Sequence, residues 1–321
     1  MDDPSFRLTM NHLRLVVAID EEHSLVGAAK CLHMTQPAVT KSLQVAERLL
    51  GVRLFDRTSS GMVATVYGEA LIAQAKIVLS QLGRAAQNIG DLRDGRVGRV
   101  VVGTLSAPAA GLIPTSIVRL RRERPNLFVN VVEGTNAALV PALRRGDVEL
   151  IVGRLPEALD PATFTQETLF NDFVVVVAGP EHELVSAPPT DLADLVGYEW
   201  ILPPEDTSLR RQINKAFWDQ QLDPPPAVVE SRSWSLTQSL LSQTRYLAAW
   251  PWQVIYWELA AKRIGLVPTS LSIAARAVGV TTRREMPLSP AARMFVDALS
   301  SFGAELQVRS KTVPLPMVMS R

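Results

Sequence analysis

Five side chains between residues 36 and 48 have types and spacing suited to reading the edges of DNA bases. Gln36, Thr40, Lys41, Gln44 and Arg48 share one side of a helical repeat, and residues 36 to 46 contain no carboxylate. A glutamine amide can bond an adenine edge at two atoms, and a threonine methyl can touch thymine. Lys41 can reach a base or a phosphate. Arg53 and Arg57 follow closely, where cations would meet the phosphate backbone or the minor groove. An ordinary amphipathic surface helix shows the same two faces, so the neighbouring elements must decide between the two readings.

Those side chains need a rigid helix beneath them. Thr35 is placed to cap it, Pro37 falls in its first turn, and Gly51 stands where a left-handed residue would end it. Val39, Leu43, Ala46 and Leu50 recur on the inner side. Upstream, Thr9 can cap a helix in which Leu13, Val16, Val17 and Asp20 recur. Ser24 can cap a shorter one with Ala28, Ala29 and Leu32 inward. A short connection at His33-Met34 leads into the third helix, so the three make a helix-turn-helix. Arg53 to Arg57 and Met62 to Thr65 then flank the turn Thr58-Ser59-Ser60-Gly61, a small hairpin or wing. Residues 24–66 carry five cations and two carboxylates, a local +3 against +1 for the whole chain. That local charge is modest for one reading head and better suited to a pair reading two half-sites.

The next segment supplies a pairing device. Leu71, Ala75, Val78, Leu82, Ala85, Ile89 and Leu92 alternate at spacings of four and three, a heptad seam with Thr65 at its start and Glu69 in its first turn. Such a seam pairs two chains or packs on its own domain. Its narrowness and polar flanks favour pairing.

Residues 1–92 resemble the N-terminal part of LysR-type transcriptional regulators. The resemblance is carried by Leu13-Arg14, Ser24, Ala28-Ala29, Leu32, Thr35-Gln36-Pro37-Ala38-Val39-Thr40, Leu49, Gly51, Leu54-Phe55-Asp56-Arg57, Thr65 and Gly68. Leu25-Val26-Gly27 departs from the family pattern, which has an aromatic, a threonine and a basic residue there. The resemblance implies a DNA surface of Ser24, Thr35, Gln36, Pro37, Thr40, Lys41, Gln44, Arg48, Arg53 and Arg57. It also implies antiparallel pairing of the linker helices.

Beyond a charged stretch at residues 91–99, strands and helices alternate. Strands are expected at 100–103, 127–133, 148–153, 173–179 and 275–282, and helices at 109–124, 136–145, 209–221, from Ser235, and at 290–306. Alternation of this kind implies parallel sheets with helices on their faces. Gly146 to Gly153 matches a strand signature of the same family. The implied fold class is α/β: a helix-rich winged helix-turn-helix domain (residues 1–66), a long dimerisation helix (67–96), and a two-lobed effector domain (97–321) resembling type II periplasmic binding proteins. The first lobe would span 97–168 and 271–321, and the second 169–270, with crossovers near 160–172 and 266–274.

Ligands of open α/β sheets sit beyond the carboxyl ends of the strands, where helix N-termini point. That rule selects Thr104, Ser106, Thr135, Pro203, Thr207 and Ser235, and the family adds the loop carrying Trp250. Hydroxyls on helix starts suit a carboxylate, an aromatic acid or a sugar, yet each could equally be a plain helix cap. All six tryptophans fall between residues 200 and 257. Most should be core, with one or two in the cleft. The run Arg119-Arg121-Arg122-Arg124 reads as a solvated helix face.

Enzyme chemistry finds little footing. The chain has no Gly-x-Ser-x-Gly elbow, no Gly-x-x-x-x-Gly-Lys and no His-Glu-x-x-His, so no catalytic residue is assigned. No cofactor or metal is expected, since Glu181-His182-Glu183 reads as an exposed turn. Cys31, the one cysteine, rules out an intramolecular disulfide and is expected to be a small buried residue. No apolar run reaches eighteen residues and Met1-Asp2-Asp3-Pro4 begins no signal peptide, so a cytoplasmic protein with no membrane partner is expected. The expected partners are double-stranded promoter DNA, a small-molecule effector, RNA polymerase and further copies of the chain, as a homodimer or homotetramer. The expected function is transcription regulation in which the effector controls DNA bending. The alternative is a ligand-independent repressor or architectural protein whose α/β part only oligomerises.

Overall fold

The computed structural model describes residues 7–59, 61–93, 98–269 and 276–310. The side chains of residues 84, 87, 88, 91, 92 and 310 also fall outside that description. The acidic first residues, Ser60 of the wing turn, residues 94–97 of the charged stretch, the 270–275 part of the second crossover and the Leu92 side chain therefore lie outside the described residues. The chain divides into two compact units, Met1–Arg96 with Val140–Val148, and Val97–Leu139 with Glu149–Arg321.

The first unit opens with α1 (Met10–Glu22), α2 (Leu25–Cys31) and α3 (Gln36–Leu50). Thr9 caps α1 in a reciprocal box: its hydroxyl accepts from His12 N at 3.4 Å, and His12 Nδ1 accepts from Thr9 N at 3.1 Å. The buried stripe of α1 is Leu15, Val16, Ala18 and Ile19, with Leu13 and Val17 only half-buried. The expected stripe was too narrow because α1 packs against α2, α3 and the linker helix from different sides. Asp20 faces the linker helix instead, accepting from Lys76 Nζ at 2.7 Å. Ser24 caps α2 by accepting from Val26 N and Gly27 N. Thr35 stands at the N-cap of α3 but its side chain makes no capping bond. Pro37, at the second helical position, has no N–H to offer it. Gly51 ends α3 in the left-handed region at φ 69°. Cys31 is exposed, since it closes α2 beyond the Ala28-Ala29 stripe.

The wing is β1 (Phe55–Thr58) paired antiparallel with β2 (Gly61–Ala64). Two contacts fix it. Glu47, on α3, accepts from Leu54 N at 2.8 Å and from Phe55 N at 3.4 Å through Oε1. Met62 N donates to His23 O at 2.9 Å, and a Cβ on Gly61, which has φ 121°, would lie 2.4 Å from that carbonyl oxygen. Only glycine allows both the left-handed turn and this approach.

Thr65 caps the long α4 (Val66–Arg93), its Oγ1 accepting from Gly68 N at 3.1 Å. Ile72 and Ala75 are buried in the core of the first unit. Further along the expected seam the burial stops: Val78 is 42% exposed, Leu82 52% and Ile89 69%.

The second unit holds two five-stranded sheets. The first has order β4-β3-β5-β12-β6, from β3 (Arg99–Thr104), β4 (Phe128–Glu133), β5 (Leu150–Arg154), β6 (Phe164–Asp172) and β12 (Arg276–Arg283). The second has order β11-β7-β10-β8-β9, from β7 (Val174–Ala178), β8 (Trp200–Leu202), β9 (Ala227–Glu230), β10 (Leu247–Pro251) and β11 (Gly265–Leu266). The helices are α5 (Ser106–Ala110), α6 (Leu112–Glu123), α7 (Asn136–Arg145), α8 (Ser208–Trp218), α9 (Trp234–Leu241), α10 (Trp252–Ala260) and α11 (Pro290–Ser310).

Both sheets are mixed rather than parallel. β3 runs parallel to β4 and β5, and β8 parallel to β9 and β10. β12 runs antiparallel to β5 and β6, and β7 antiparallel to β10. The segment expected as a crossover, 160–172, is mostly the strand β6, whose polar Gln166 and Glu167 hid it. The expected helix 109–124 is two helices broken at Gly111, where a Cβ would sit 2.1 Å from Gln253 O.

Glu47→Ala tests the tie between wing and helix. It leaves the Leu54 and Phe55 amides without that acceptor and should cost about 1–3 kcal/mol in urea unfolding. A variant as stable as wild type would show that the tie does not hold the wing.

Candidate functional site

The expected reading side chains converge. Gln36, Pro37, Thr40, Lys41, Gln44 and Arg48 from α3, with Val45, share one concave surface with Arg57 from the wing. Helical spacing brings the α3 residues together, and the Glu47 tie carries Arg57 to them. Thr40 Oγ1 donates to Gln36 O at 3.0 Å, so its hydroxyl hydrogen is engaged. Ser24, Gln36 and Arg57 border a neighbouring hollow between the start of α2 and the wing. Thr35 and Arg53 are exposed and line neither hollow.

A second site lies within the second unit. The parallel strands of the two sheets end on one cavity of about 440 Å³, in the usual range for ligand pockets. β3 and β4 deliver Ser106 and Thr135 just past their ends, and β5 ends on Arg154. β8, β9 and β10 deliver Pro203, Ser231 and Trp250. Carboxyl ends of parallel strands are where ligands of such sheets bind.

Of the seven expected effector residues, Ser106, Thr135, Pro203, Thr207 and Trp250 line this cavity. Thr207 is also a cap: its hydroxyl accepts from Arg210 N at 3.1 Å and donates to Pro204 O at 2.8 Å. The loop carrying Pro203 and Thr207 is held from behind by the buried Arg210, which bonds Pro203 O at 3.1 Å and Glu205 at 2.7 Å. Thr104 and Ser235 do not line it. Thr104 is buried, with Oγ1 3.2 Å from Val152 O, tying β3 to β5. Ser235 lies two residues too late: the α9 cap is Ser233, accepting from Leu236 N at 3.2 Å.

The charged groups of the wall escaped the sequence reading. They are Arg154, Asp172, Asp206 and Arg232. Asp172 ends β6 where the chain crosses to β7, and it is buried. Gln253, at the start of α10, donates to it from Nε2 at 2.6 Å and from its backbone N at 3.2 Å. Burial pushes the Asp172 carboxyl up to about 6, against the opposing pull of the Gln253 hydrogen bonds and the Arg154 charge. Arg154 donates to Ser208 Oγ at 3.1 Å, joining β5 to the start of α8. Burial lowers its pKa, aided by Arg276 and opposed by Asp172. Arg232 pairs with Asp206 at 2.5 Å. The strand-end rule that chose Thr104 would have reached Arg154 at the end of β5. Asp172 had no such signal while its strand read as a crossover.

Trp234 and Trp250 line the cavity with ring centroids 5.4 Å apart and planes at 80°. Trp200 and Trp252 are core, whereas Trp218 and Trp257 are exposed. His182 is buried, not exposed: its Nδ1 accepts from Leu184 N and its Nε2 donates to Arg245 O, both at 3.2 Å. It closes a turn, and no group of metal-ligating residues occurs among the described residues. In the arginine run, Arg119 pairs with Glu305 of α11 and lies over the Phe302 ring. No described helix is long and apolar enough to cross a membrane.

Residues 10–69 match the family model for the bacterial regulatory helix-turn-helix protein, lysR family, and residues 93–303 match the LysR substrate binding domain. The chain is 31% identical over 311 residues to the HTH-type transcriptional regulator GbpR of Azospirillum brasilense, covering 97% of this chain and 91% of that protein. A Cys-to-Asp variant of full-length OxyR from Pseudomonas aeruginosa superposes with a TM-score of 0.63 at 24% identity, covering 91% of this chain and 95% of that one. Full-length CbnR, solved with its target DNA, gives 0.62 at 21%, covering 92% and 99%. These two structures share the fold.

The Asp172 carboxyl makes stability depend on pH. The native chain holds this proton more tightly than the unfolded chain, whose carboxyl titrates near 3.8. Its contribution is therefore full below that value and lost as pH rises through about 6, on the order of 3 kcal/mol at most. Asp172→Asn should flatten the profile. The unfolding midpoint of the variant relative to wild type should rise from pH 4 to pH 7, and parallel profiles would contradict the assignment.

Proposed function

We propose, for a chain that belongs to the LysR family of bacterial regulatory helix-turn-helix proteins, that a small effector in the cavity controls how paired reading heads hold and bend promoter DNA. The supporting observation is the concave surface on which α3 sets Gln36, Thr40, Lys41, Gln44 and Arg48 beside Arg57 of the wing. Its polarity and its helical support suit a major groove, with Gln36 and Thr40 at base edges and the cations toward phosphates. Ser24, Thr35, Pro37 and Arg53 extend the contact to the backbone.

Pairing runs through α4, whose Val78, Leu82 and Ile89 are exposed apolar residues on a heptad seam. A dimer or tetramer then reads two half-sites. Effector binding favours one arrangement of the two sheets, and the paired heads follow with a different bend in the DNA. The effector is a small carboxylic acid, an aromatic acid or a sugar. The regulator acts in the cytoplasm, with RNA polymerase as its partner at the promoter, and does no catalysis.

Two substitutions separate reading from holding on a DNA fragment selected by the wild-type protein. Gln36→Ala should relax base preference at one position by about 1–3 kcal/mol. Arg57→Ala should weaken binding to all sequences and lower the salt slope by about one. An unchanged base preference in the first variant removes Gln36 from the reading face. The effector half is tested by unfolding midpoints of the full chain against small carboxylic acids, aromatic acids and sugars. One class should give a saturable rise, and no rise in any class removes the effector.

A further inference from the structure

We infer that the cavity between the two sheets takes a neutral, polyhydroxylated ring, a monosaccharide in cyclic form. This rests on the effector reading above and names the ligand class of the same site. Three features of the wall carry it.

The first is charge. The cavity wall has two cations and two carboxylates: Arg232 is bonded to Asp206, and the Arg154 and Asp172 charges offset one another without an ion pair. A ligand carboxylate would bring a third negative charge into a wall that is already balanced, beside the buried Asp172. A neutral ligand leaves that balance intact.

The second is hydrogen bonding. Gln253 is buried and spends its amide N–H on Asp172, and its Oε1 has no partner among the described residues. Trp234 Nε1 is likewise buried without a partner among the described residues. The first is an acceptor and needs a donor, and the second is a donor and needs an acceptor. A carboxylate supplies acceptors only, and an aromatic hydrocarbon supplies neither. A hydroxyl is a donor and an acceptor at once, so a ring bearing several can satisfy both. Thr135 and Ser231 add hydroxyls of the same dual character to the wall.

The third is shape. Trp234 and Trp250 both line the wall and cross at 80°; Trp250 is buried behind, and the half-buried Trp234 offers the aromatic surface. The C–H face of a sugar ring packs on an indole while its equatorial hydroxyls point to the sides, where the polar groups stand.

The test uses the full chain and isothermal titration with D-glucose, D-galactose and L-arabinose. D-gluconate, D-galacturonate, benzoate and protocatechuate are run alongside. At least one neutral sugar should bind saturably, and every acid at least tenfold more weakly. Trp234→Phe keeps the aromatic surface and removes the N–H, and it should weaken the sugar about three- to tenfold with the unfolding midpoint retained. Tightest binding by an acid overturns the ligand class and leaves the effector reading standing. Binding by no probe overturns the ligand class, and the wider screen then decides the effector reading separately. Sugar affinity unchanged in Trp234→Phe also overturns the assignment, because the indole N–H is then not part of the site.

Discussion

Burying the Asp172 carboxylate where the chain passes from one sheet to the other is the constraint on which the second unit depends. A charge out of water needs partners, and here they come from a distant segment: both the side chain and the backbone N–H of Gln253 bond it. The same junction carries Trp252 N donating to Phe173 O at 2.8 Å, with the two rings stacked at 5.6 Å. On the other side Gly111 lets the break between α5 and α6 press against the Gln253 carbonyl. β6, α10 and the α5–α6 break are thus fixed together at one point. A buried polar cluster adds little net stability over a well-packed apolar one. What it supplies is a single geometry, because a carboxylate and an amide must meet at hydrogen-bond distance while apolar groups can slide. The cavity inherits that geometry, since its walls are the strand ends on either side of the junction.

The two sites use cations in opposite ways. On the reading face Lys41, Arg48 and Arg57 form no ion pair among the described residues, which leaves them for a polyanion. In the cavity Arg232 is bonded to Asp206, and Arg154 donates to Ser208 Oγ within the field of the Asp172 charge. On the readings proposed above, one chain would thus separate a surface suited to charge from a pocket suited to shape and donor–acceptor pattern. Glu47 shows how the first is kept clean: the one carboxylate on that part of α3 turns back to the wing amides instead of facing outward.

Legibility in the sequence followed the range of the interactions. Caps and helix ends are local, and Thr9, Ser24, Gly51 and Thr65 were readable because each acts within four residues. Thr35 stands at the N-cap as expected, but its hydroxyl makes no capping bond: Pro37 removes the N2 donor, and the side chain does not turn to the remaining one at Ala38 N. The alternating order of strands and helices was readable as well, but strand direction was not, because pairings such as β12 with β5 join segments more than a hundred residues apart. Ser106, Thr135, Pro203 and Thr207 in the cavity were found from strand ends. Asp172, Gln253 and Trp234 were not, since their meaning comes from contacts across about eighty residues and from partners they lack. His182 misread for the same reason: its second bond reaches Arg245, which no local pattern announces.

The exposed end of the α4 seam has a bearing on both sites. On the seam Ala75 is buried and Leu71 half-buried in their own unit, yet Val78, Leu82 and Ile89 leave their apolar surface in solvent at the same repeat. A surface helix that continues a heptad after its own core has ended is suited to a second copy of itself. Pairing would also answer the charge problem at the reading face. A local +3 holds one half-site weakly, and two heads joined by a helix bind as one ligand with a higher effective concentration. The gain lasts only while the heads match the spacing of the half-sites. An arrangement that depends on spacing is sensitive to small shifts in whatever sets it. On the function proposed above, a ligand that fixes the two sheets around Asp172 would need to shift the paired heads only slightly to change how firmly they hold DNA.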